Sequence, residues 1–327
     1  MAFTSDELVE VLRAAGEPTR LRILALLQRE ELSVMELGQI LDQSQPRVSR
    51  HLKLLAEAGL VERFPDGAWV FYRLPAEGEQ RRLVESVLGR LKLGEPVVSR
   101  DGEQLGRVRQ ARETDAAAYF ERNAPRWDEI RSLYVAEDKV ERAILDAAGE
   151  GPFERLVDLG TGAGRMLTLL GGRARSALGL DLSQQMLNIA RRAAADAGVP
   201  ACELRHGDIF ATGLKAGSAD LVVIHRVLHY LNDPAAAVAE AGRLVAPGGR
   251  LLIVDFAPHG LEYLRQAHQH RRLGFSDEEI ARWCADAGLA EVAVSTLPAA
   301  SADGLTVKVW TAQPADAEAS VDQRSAA

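Results

Sequence analysis

Cysteine is nearly missing from the sequence: only Cys202 and Cys284 occur among 327 residues. Two thiols cannot build a disulfide framework or a four-thiolate zinc site. The sequence also has no run of about 18 apolar residues, which excludes a membrane-spanning helix. Its first residues show no basic segment leading into an apolar stretch, so we expect no secretory signal and a cytoplasmic location.

An excess of positive charge is missing as well. The formal net charge is −8 at pH 7, which argues against a protein that coats nucleic acid with its whole surface. A single local DNA-reading surface remains compatible with that charge. Hydrophobic residues make up 47% and charged residues 26%, a mixture typical of globular proteins, and the length suggests about two domains.

The chain divides into segments that differ in charge and in the pattern of apolar residues. Residues 1–93 contain helical patterns and one pair of strand-like segments, which predicts an α+β domain. Residues 94–114 are charged and show no sustained apolar period, so we interpret them as a linker or short helix. Residues 115–312 alternate short β-branched runs with helical stretches, which indicates an α/β doubly wound, Rossmann-like domain with a parallel sheet. Residues 313–327 have no apolar face and are predicted to form a disordered tail.

The first domain has the pattern of a winged helix-turn-helix. Helices are predicted over residues 5–15, 19–29, 33–42 and 44–58. Ser33 and Glu36 form a capping box at the start of the third helix, and Ser44 caps the fourth. The apolar face of the fourth helix consists of Val48, Leu52 and Leu55. We expect this helix to enter the major groove of DNA and the hairpin 60–74 to form the wing.

The polar side chains of this region support a DNA-reading surface. Ser49, Arg50 and Lys53 lie opposite the apolar face of the fourth helix, and the wing carries Arg63 and Arg73. The alternative is that these charges form only a solvated surface. The run SQPRVSRHLKLLAEAGLV, within residues 5–92, closely resembles the ArsR/SmtB family of dimeric bacterial repressors.

That resemblance implies a homodimer that reads a palindromic operator. The residues that it places near bases or phosphates are Gln45, Arg47, Ser49, Arg50 and His51, with Lys53, Arg63 and Arg73 added from the helix and wing. The helix EQRRLVESVLGRLKL would pack in the dimer interface together with the first helix.

One departure from the family concerns metals. Metal-sensing members carry two cysteines in the motif ELCVCEL, where this sequence has ELSVMEL with Ser33 and Met35. A hydroxyl and a thioether cannot replace two thiolates for a soft metal. The segment QRRLVESVLGRLKL also lacks the His and Asp ligands of a zinc site. We therefore expect no metal site here and look for the effector elsewhere in the chain.

The second domain opens with a glycine-rich loop between a strand and a helix. Gly160, Gly162 and Gly164 follow the strand LVDL, an arrangement that lets a ligand approach the backbone. Asp181 follows the next strand and is placed to accept hydrogen bonds from two ribose hydroxyls. Asp208, in RHGDI, follows the third strand, where an acid can accept from an adenine amine.

Further segments make this pattern specific. Asp158 completes the motif D-x-G-x-G-x-G, and ADLVVIHRVLHYL and LVAPGGRLLIVDF supply a fourth and a fifth strand. Together they resemble class I S-adenosylmethionine (SAM)-dependent methyltransferases, nearest to the ubiquinone and menaquinone methyltransferases, over about residues 115–310. An NAD-binding domain is the alternative, but it predicts neither Asp158 nor the acid of RHGDI.

The resemblance implies SAM or S-adenosylhomocysteine (SAH) as cofactor. The residues that it assigns to this ligand are Tyr119, Asp158, Gly160, Gly162, Gly164, Asp181, Leu182, Asp208, Ile209 and His225. The glycines would flank the methionine portion, Asp158 the ammonium group and His225 the sulfonium, while Asp208 and Ile209 would meet the adenine. Tyr119 would close over the cofactor from an N-terminal helix.

Histidines recur in the second domain. His225 and His229 are four residues apart, and His259, His268 and His270 follow the fifth strand. A metal cluster is one alternative, but no carboxylate or thiol completes a recognisable spacing. Pocket lining is another, and general-base catalysis by His225 or His259 is a third. Arsenic methylation needs several cysteines, so we do not expect that activity.

Two hypotheses for the whole chain follow. In the first, the protein is a transcriptional repressor whose operator affinity is set by SAM or SAH, with methionine-cycle genes as its targets. The alternative is an active methyltransferase of a small-molecule acceptor, which uses the DNA-binding domain for autoregulation. Both require SAM binding, and they differ in whether an acceptor pocket exists.

Overall fold

The computed structural model describes residues 3–66, 69–75, 78–92, 95–123, 137–199, 201–299 and 304–315. The chain splits into two compact units, Met1–Asp115 and Ala116–Ala327. No helix in the described part of the chain is long and apolar enough to cross a membrane.

The first unit consists mostly of helices. They are α1 Ser5–Ala15, α2 Pro18–Leu27, α3 Val34–Leu41, α4 Gln45–Glu57, α5 Glu79–Leu88 and α6 Pro96–Asn123, of which α6 ends in the second unit. The capping box of α3 is confirmed, since Ser33 Oγ accepts from the Glu36 N–H at 3.3 Å and Glu36 Oε2 accepts from the Ser33 N–H at 2.8 Å. Ser44 occupies the N-cap of α4, but its side chain makes no capping hydrogen bond.

A small antiparallel sheet completes the winged helix-turn-helix. Its strands are β1 Leu32–Ser33, β2 Glu62–Asp66 and β3 Trp69–Arg73, in the order β1-β3-β2. The apolar face predicted for α4 is fully buried, because Val48, Leu52 and Leu55 are each 0% exposed in the core of this unit. The opposite face of α4 is thereby turned outward.

We interpreted residues 94–114 as a linker or short helix. In the structure, most of them belong to the long helix α6. Leu105 and Val108 are buried in the core of the first unit. Asp101 receives two hydrogen bonds of 2.6 Å from the guanidinium of Arg22 in α2. The sequence showed no sustained apolar period here because charged side chains, paired with distant partners, form much of the packed face.

The second unit contains a seven-stranded sheet. Its strands are β4 Phe153–Leu159, β5 Ala174–Asp181, β6 Cys202–His206, β7 Ala219–His225, β8 Val245–Phe256, β9 Leu289–Leu297 and β10 Val307–Pro314. The order is β6-β5-β4-β7-β8-β10-β9; the first five strands are parallel, and β10 runs antiparallel to both neighbours. This confirms the predicted doubly wound fold and adds an antiparallel edge. Because β10 runs to Pro314, the first residues of the predicted tail are part of the sheet; residues 316–327 lie outside the described part.

Helices cover both faces of this sheet. They are α7 Glu137–Ala148, α8 Arg165–Leu170, α9 Gln184–Asp196, α10 Pro234–Leu244, α11 Tyr263–His268 and α12 Asp277–Asp286. Successive strand residues enter different cores: Val157 packs in one cluster and Leu156 in the other. The strand order reverses between β4 and β7, and in such sheets ligands bind beyond the carboxyl ends of the strands at this reversal.

Candidate functional site

The loop between β4 and α8 favours glycine at three of its positions. Gly160, Gly162 and Gly164 have φ angles of +72°, +52° and +83°, in the left-handed region that favours glycine. A Cβ on Gly160 would lie 2.5 Å from Cγ2 of Val227, and one on Gly164 would lie 2.9 Å from Cβ of Ala190. The loop therefore presents bare backbone at the carboxyl end of β4.

Asp181, the last residue of β5, holds this loop in place. Its two carboxylate oxygens accept hydrogen bonds of 2.8 Å from the N–H groups of Gly162 and Ser183. Burial raises the pKa of Asp181, and these N–H donors offset part of that rise. Each oxygen keeps a second lone pair that can accept from a hydroxyl. The sequence predicted only the ligand contact and missed the role in shaping the loop.

Asp158, near the end of β4, is a buried carboxylate that contacts the loop through Thr161. Its Oδ2 accepts a 2.6 Å hydrogen bond from the Thr161 hydroxyl, whereas its buried Oδ1 has no partner among the described residues. Burial, together with the nearby charge of Asp181, raises the pKa of Asp158 to about 7. A buried carboxylate oxygen without a partner is costly, and an ammonium group would satisfy it. The site therefore fits the amino end of an amino-acid ligand.

Apolar and acidic residues follow the ends of β5 and β6. Leu182 is 60% exposed, Ile209 is buried and Phe210 is 38% exposed. Asp208 is exposed, and its Oδ1 accepts from the Phe210 N–H at 3.0 Å. The sequence pattern did not predict a role for Phe210. An exposed aromatic ring beside an acid suits a flat, polar-edged base.

Tyr119 has a partner that the sequence did not predict. Its hydroxyl lies 2.7 Å from Nδ1 of His268 in α11, and burial raises the pKa of Tyr119 to about 12. The closing of Tyr119 over a cofactor stays a prediction.

The histidines at the ends of β7 and β8 have distinct settings. His225 is the half-buried last residue of β7. His259 accepts the N–H of Leu261 at its Nδ1, 3.3 Å away. His229 forms a fully buried 2.7 Å pair with Asp255, which the sequence analysis did not identify as a site. No group of three His, Cys, Asp or Glu in the described residues could hold a metal ion.

The outward face of α4 carries most of the predicted DNA contacts. Gln45, Arg47, Arg50 and Lys53 are exposed on α4, Ser49 is half-buried, and Arg63 is exposed on β2. These side chains form a polar surface on α4, and β2 adds one exposed arginine, an arrangement compatible with a helix that reads the major groove.

Two of the residues predicted to contact DNA, His51 and Arg73, instead pair with carboxylates of the first unit. His51 lies 3.5 Å from the carboxylate of Glu17, and burial lowers the pKa of this imidazole. Arg73 pairs with Glu62 at 2.9 Å and Glu31 at 3.3 Å. Because these partners take up the polar groups, both residues are poorer candidates for phosphate contacts than Arg50.

Comparison with known proteins matches both units. Residues 17–63 match the family model for bacterial regulatory proteins of the arsR family, and residues 157–253 match that for a methyltransferase domain. The chain joins an arsR-type helix-turn-helix segment to a methyltransferase-type domain, and we call it the fusion. In the fusion, the helix-turn-helix match covers α2 to α4, and the methyltransferase match runs from the end of β4 through the glycine loop into β8.

Three relatives illustrate the two halves. The arsenical resistance operon repressor of Escherichia coli is 46% identical over 67 residues, 20% of this chain and 57% of that protein. The demethylmenaquinone methyltransferase of Thermus thermophilus is 35% identical over 143 residues, 42% of this chain and 64% of the enzyme. A 37.1 kDa protein of a Streptomyces fradiae transposon is 33% identical over 234 residues, 66% of this chain and 64% of that protein. The fusion thus spans less than two thirds of the length of these relatives.

The start of α3, where metal-sensing regulators carry two cysteines, forms ion pairs with α6 in the fusion. Met35 is 58% exposed, while Glu36 lies 2.5 Å from the guanidinium of Arg112 in α6. Glu30, which is buried, pairs with Arg109 at 3.0 Å and with Arg112 at 3.7 Å. The start of α3 is therefore tied to α6 by ion pairs within the first unit.

Proposed function

We propose that the fusion is a transcriptional regulator whose operator affinity responds to SAM or SAH bound in the methyltransferase unit. The observation that carries the ligand assignment is the buried Oδ1 of Asp158, which has no hydrogen-bond partner among the described residues and lies next to the glycine loop. In this proposal Asp158 accepts from the ligand's ammonium group and Asp181 from its ribose hydroxyls. Leu182, Asp208 and Phe210 receive the adenine. SAM, when bound, supplies a methyl group on a sulfonium.

The DNA side of the proposal rests on α4 and α1. A homodimer places two copies of α4 in successive major grooves of a palindromic operator. Support for the dimer comes from Leu8, Val9 and Leu12 of α1, which are 36%, 45% and 45% exposed. Apolar side chains grouped on an exposed face commonly mark a protein interface. Methionine-cycle genes are the proposed targets.

The helix α6 is the proposed route of coupling. It is tied to α2 through Arg22 and Asp101 and to the start of α3 through Arg112, and α3 packs on α4. The last residues of the same helix, including Tyr119, belong to the methyltransferase unit. A ligand that stabilises one arrangement of Tyr119 more than another would act on α6, and a coupling of about 1–3 kcal/mol is typical.

An operator titration tests this function. Duplexes selected from a randomised pool by the purified fusion serve as operator, and fluorescence anisotropy measures affinity with SAM, with SAH and with neither. We expect the two ligands to change operator affinity unequally, with SAH as the stronger effector. If operator affinity is equal in all three conditions while calorimetry shows that SAH binds, the proposed regulatory response is contradicted.

A second candidate function is methyl transfer to a small molecule, with the DNA-binding unit providing autoregulation. The buried His229–Asp255 pair at the carboxyl ends of β7 and β8 favours this candidate. A carboxylate that is hydrogen-bonded to a histidine is an arrangement used in acid–base catalysis.

A further inference from the structure

The segment that joins β6 to β7, which we call the 207–218 loop, contains no helix or strand. Most connections in compact domains have about 4–6 residues, so this loop is long. It carries Asp208 and Phe210, which the proposed function places at the adenine. Its first residue is held at the sheet, because the Gly207 N–H donates to the carbonyl of Asp181 at 3.1 Å. The rest of the loop keeps its shape only if other elements hold it.

The helix α10 holds the loop at two points. Glu240 Oε1 accepts from the Thr212 N–H at 3.2 Å and from the Thr212 hydroxyl at 2.5 Å. The same hydroxyl accepts from the Leu214 N–H at 3.2 Å. Further along, the Arg243 carbonyl accepts from the Gly217 N–H at 2.9 Å. One carboxylate of α10 therefore fixes the middle of the loop, and a carbonyl of α10 fixes its end.

Arg243 orients the carboxylate of Glu240. Its Nε and Nη2 donate to the two carboxylate oxygens at 2.6 and 2.7 Å, a bidentate pair. These bonds, together with those from Thr212, lower the pKa of Glu240 to about 2, so Glu240 is ionised at neutral pH. The Glu240 side chain is 12% exposed and Thr212 is 5% exposed. Without Glu240, the N–H of Thr212 would lose its acceptor in a buried position.

The stability of α10 does not explain a carboxylate at position 240. The helix is capped at its start by Asp233, whose side chain accepts from a backbone N–H, and it packs on the sheet through its apolar face. Glu240 and Arg243 are three residues apart on the helix, and such pairs contribute little by themselves. The main consequence of Glu240 is therefore its hold on Thr212.

A short turn connects Thr212 to Asp208. Asp208 Oδ1 accepts from the Phe210 N–H at 3.0 Å, and the Asp208 carbonyl accepts from the Ala211 N–H at 3.2 Å. Thr212 follows Ala211 directly in the chain. Because the turn is closed by these bonds, the position of Thr212 determines where the carboxylate of Asp208 and the ring of Phe210 lie.

We propose that Glu240 is a positioning residue for adenine recognition. It holds the 207–218 loop through Thr212, so that Asp208 can accept a hydrogen bond from the 6-amino group of the base. Glu240 itself does not touch the ligand. This inference rests on the SAM or SAH binding of the proposed function but not on the operator response.

The test compares SAH with an analogue in which hydrogen replaces the 6-amino group of adenine. Calorimetry on the purified full-length chain gives the Kd of each ligand, and the ratio of the two Kd values reports the contact to the amine. A hydrogen bond to a charged group corresponds to about 10- to 150-fold in affinity, so the wild-type chain should prefer SAH by a factor in that range. Glu240→Ala should bring the ratio close to one, mainly by weakening SAH. Thr212→Val should lower the ratio in the same direction.

Two control variants separate positioning from a general loss of stability. Glu154→Ala breaks a comparable pair, with Arg175 at 2.8 Å, at the amino end of β4, away from the loop. Thr212→Ser keeps the hydroxyl that Glu240 binds. Both variants should keep the wild-type ratio. If circular dichroism shows Glu240→Ala unfolded, Thr212→Val carries the test alone.

The ratio also decides against the inference. It is overturned if Glu240→Ala and Thr212→Val keep the wild-type ratio, even when both ligands bind more weakly, because Glu240 then has only a structural role. It is also overturned if the wild-type chain binds SAH and the analogue equally. A wild-type chain that does not bind SAH overturns this inference together with the proposed function. The operator titration on the same samples tests the regulatory response separately.

Discussion

The affinity for SAH should depend on pH through Asp158. Burial raises the pKa of this carboxyl to about 7, and its Oδ1 faces no partner in the described structure. A ligand ammonium can pair with Asp158 only when the carboxyl is ionised. SAH therefore binds to the ionised form of Asp158, and protonation of this carboxyl lowers the apparent affinity for SAH.

The size of the effect follows from the titration. With a pKa of about 7, roughly one tenth of Asp158 is ionised at pH 6 and nine tenths at pH 8. Apparent affinity scales with the fraction of binding-competent protein. The Kd for SAH should thus fall about tenfold between pH 6 and pH 8, and about half a proton should leave per ligand bound at pH 7.

Isothermal titration calorimetry measures both quantities. Titrations at pH 6, 7 and 8 give the Kd, and buffers of different ionisation enthalpy give the number of protons released. Asp158→Asn is the matched control: it should bind SAH more weakly and lose the pH dependence. A Kd that stays constant from pH 6 to pH 8, or a dependence that persists in Asp158→Asn, would refute the assignment of the ammonium to Asp158.

Three other predictions concern DNA binding, SAH binding and the response to metals. Arg50→Ala should weaken specific operator binding by about 1–3 kcal/mol in an anisotropy titration, since a base contact is lost, while the exposed Arg107→Ala should not; equal losses would remove Arg50 from the reading surface. Asp181→Ala should abolish SAH binding in calorimetry, because the glycine loop loses its acceptor and the ribose hydroxyls are left unpaired; near-native affinity would contradict this. Micromolar zinc, cadmium or arsenite should leave the operator complex intact in a gel shift, because the start of α3 offers Ser33 and Met35 in place of thiolates; release reversed by a chelator would reveal a missed metal site.

Local sequence signals predicted much of the fold. The capping box of Ser33 and Glu36, the buried face of α4 and the glycine loop after β4 depend on residues close together in the chain. Such patterns act over one or two helical turns, or one strand end, so they can be recognised without the tertiary structure. The same holds for the alternation that indicated the doubly wound sheet.

The remaining features depend on contacts between distant residues. The packing of α6 relies on pairs such as Arg22 with Asp101, which are 79 residues apart. The pair of His229 and Asp255 exists because β7 and β8 are neighbours in a set register, with His225 opposite Val254. A sequence shows that these residues can ionise, but only the strand order shows that they meet.

In the proposed function, ligand binding and operator binding are coupled. The most direct measurement is the affinity of the fusion for SAH with and without saturating operator, by calorimetry on one preparation. Thermodynamic reciprocity requires operator to change SAH affinity by the same factor as SAH changes operator affinity, about 5- to 150-fold for typical couplings. The proposal predicts two different SAH affinities. Identical SAH affinity with and without operator would contradict it and leave methyl transfer as the function of the second unit.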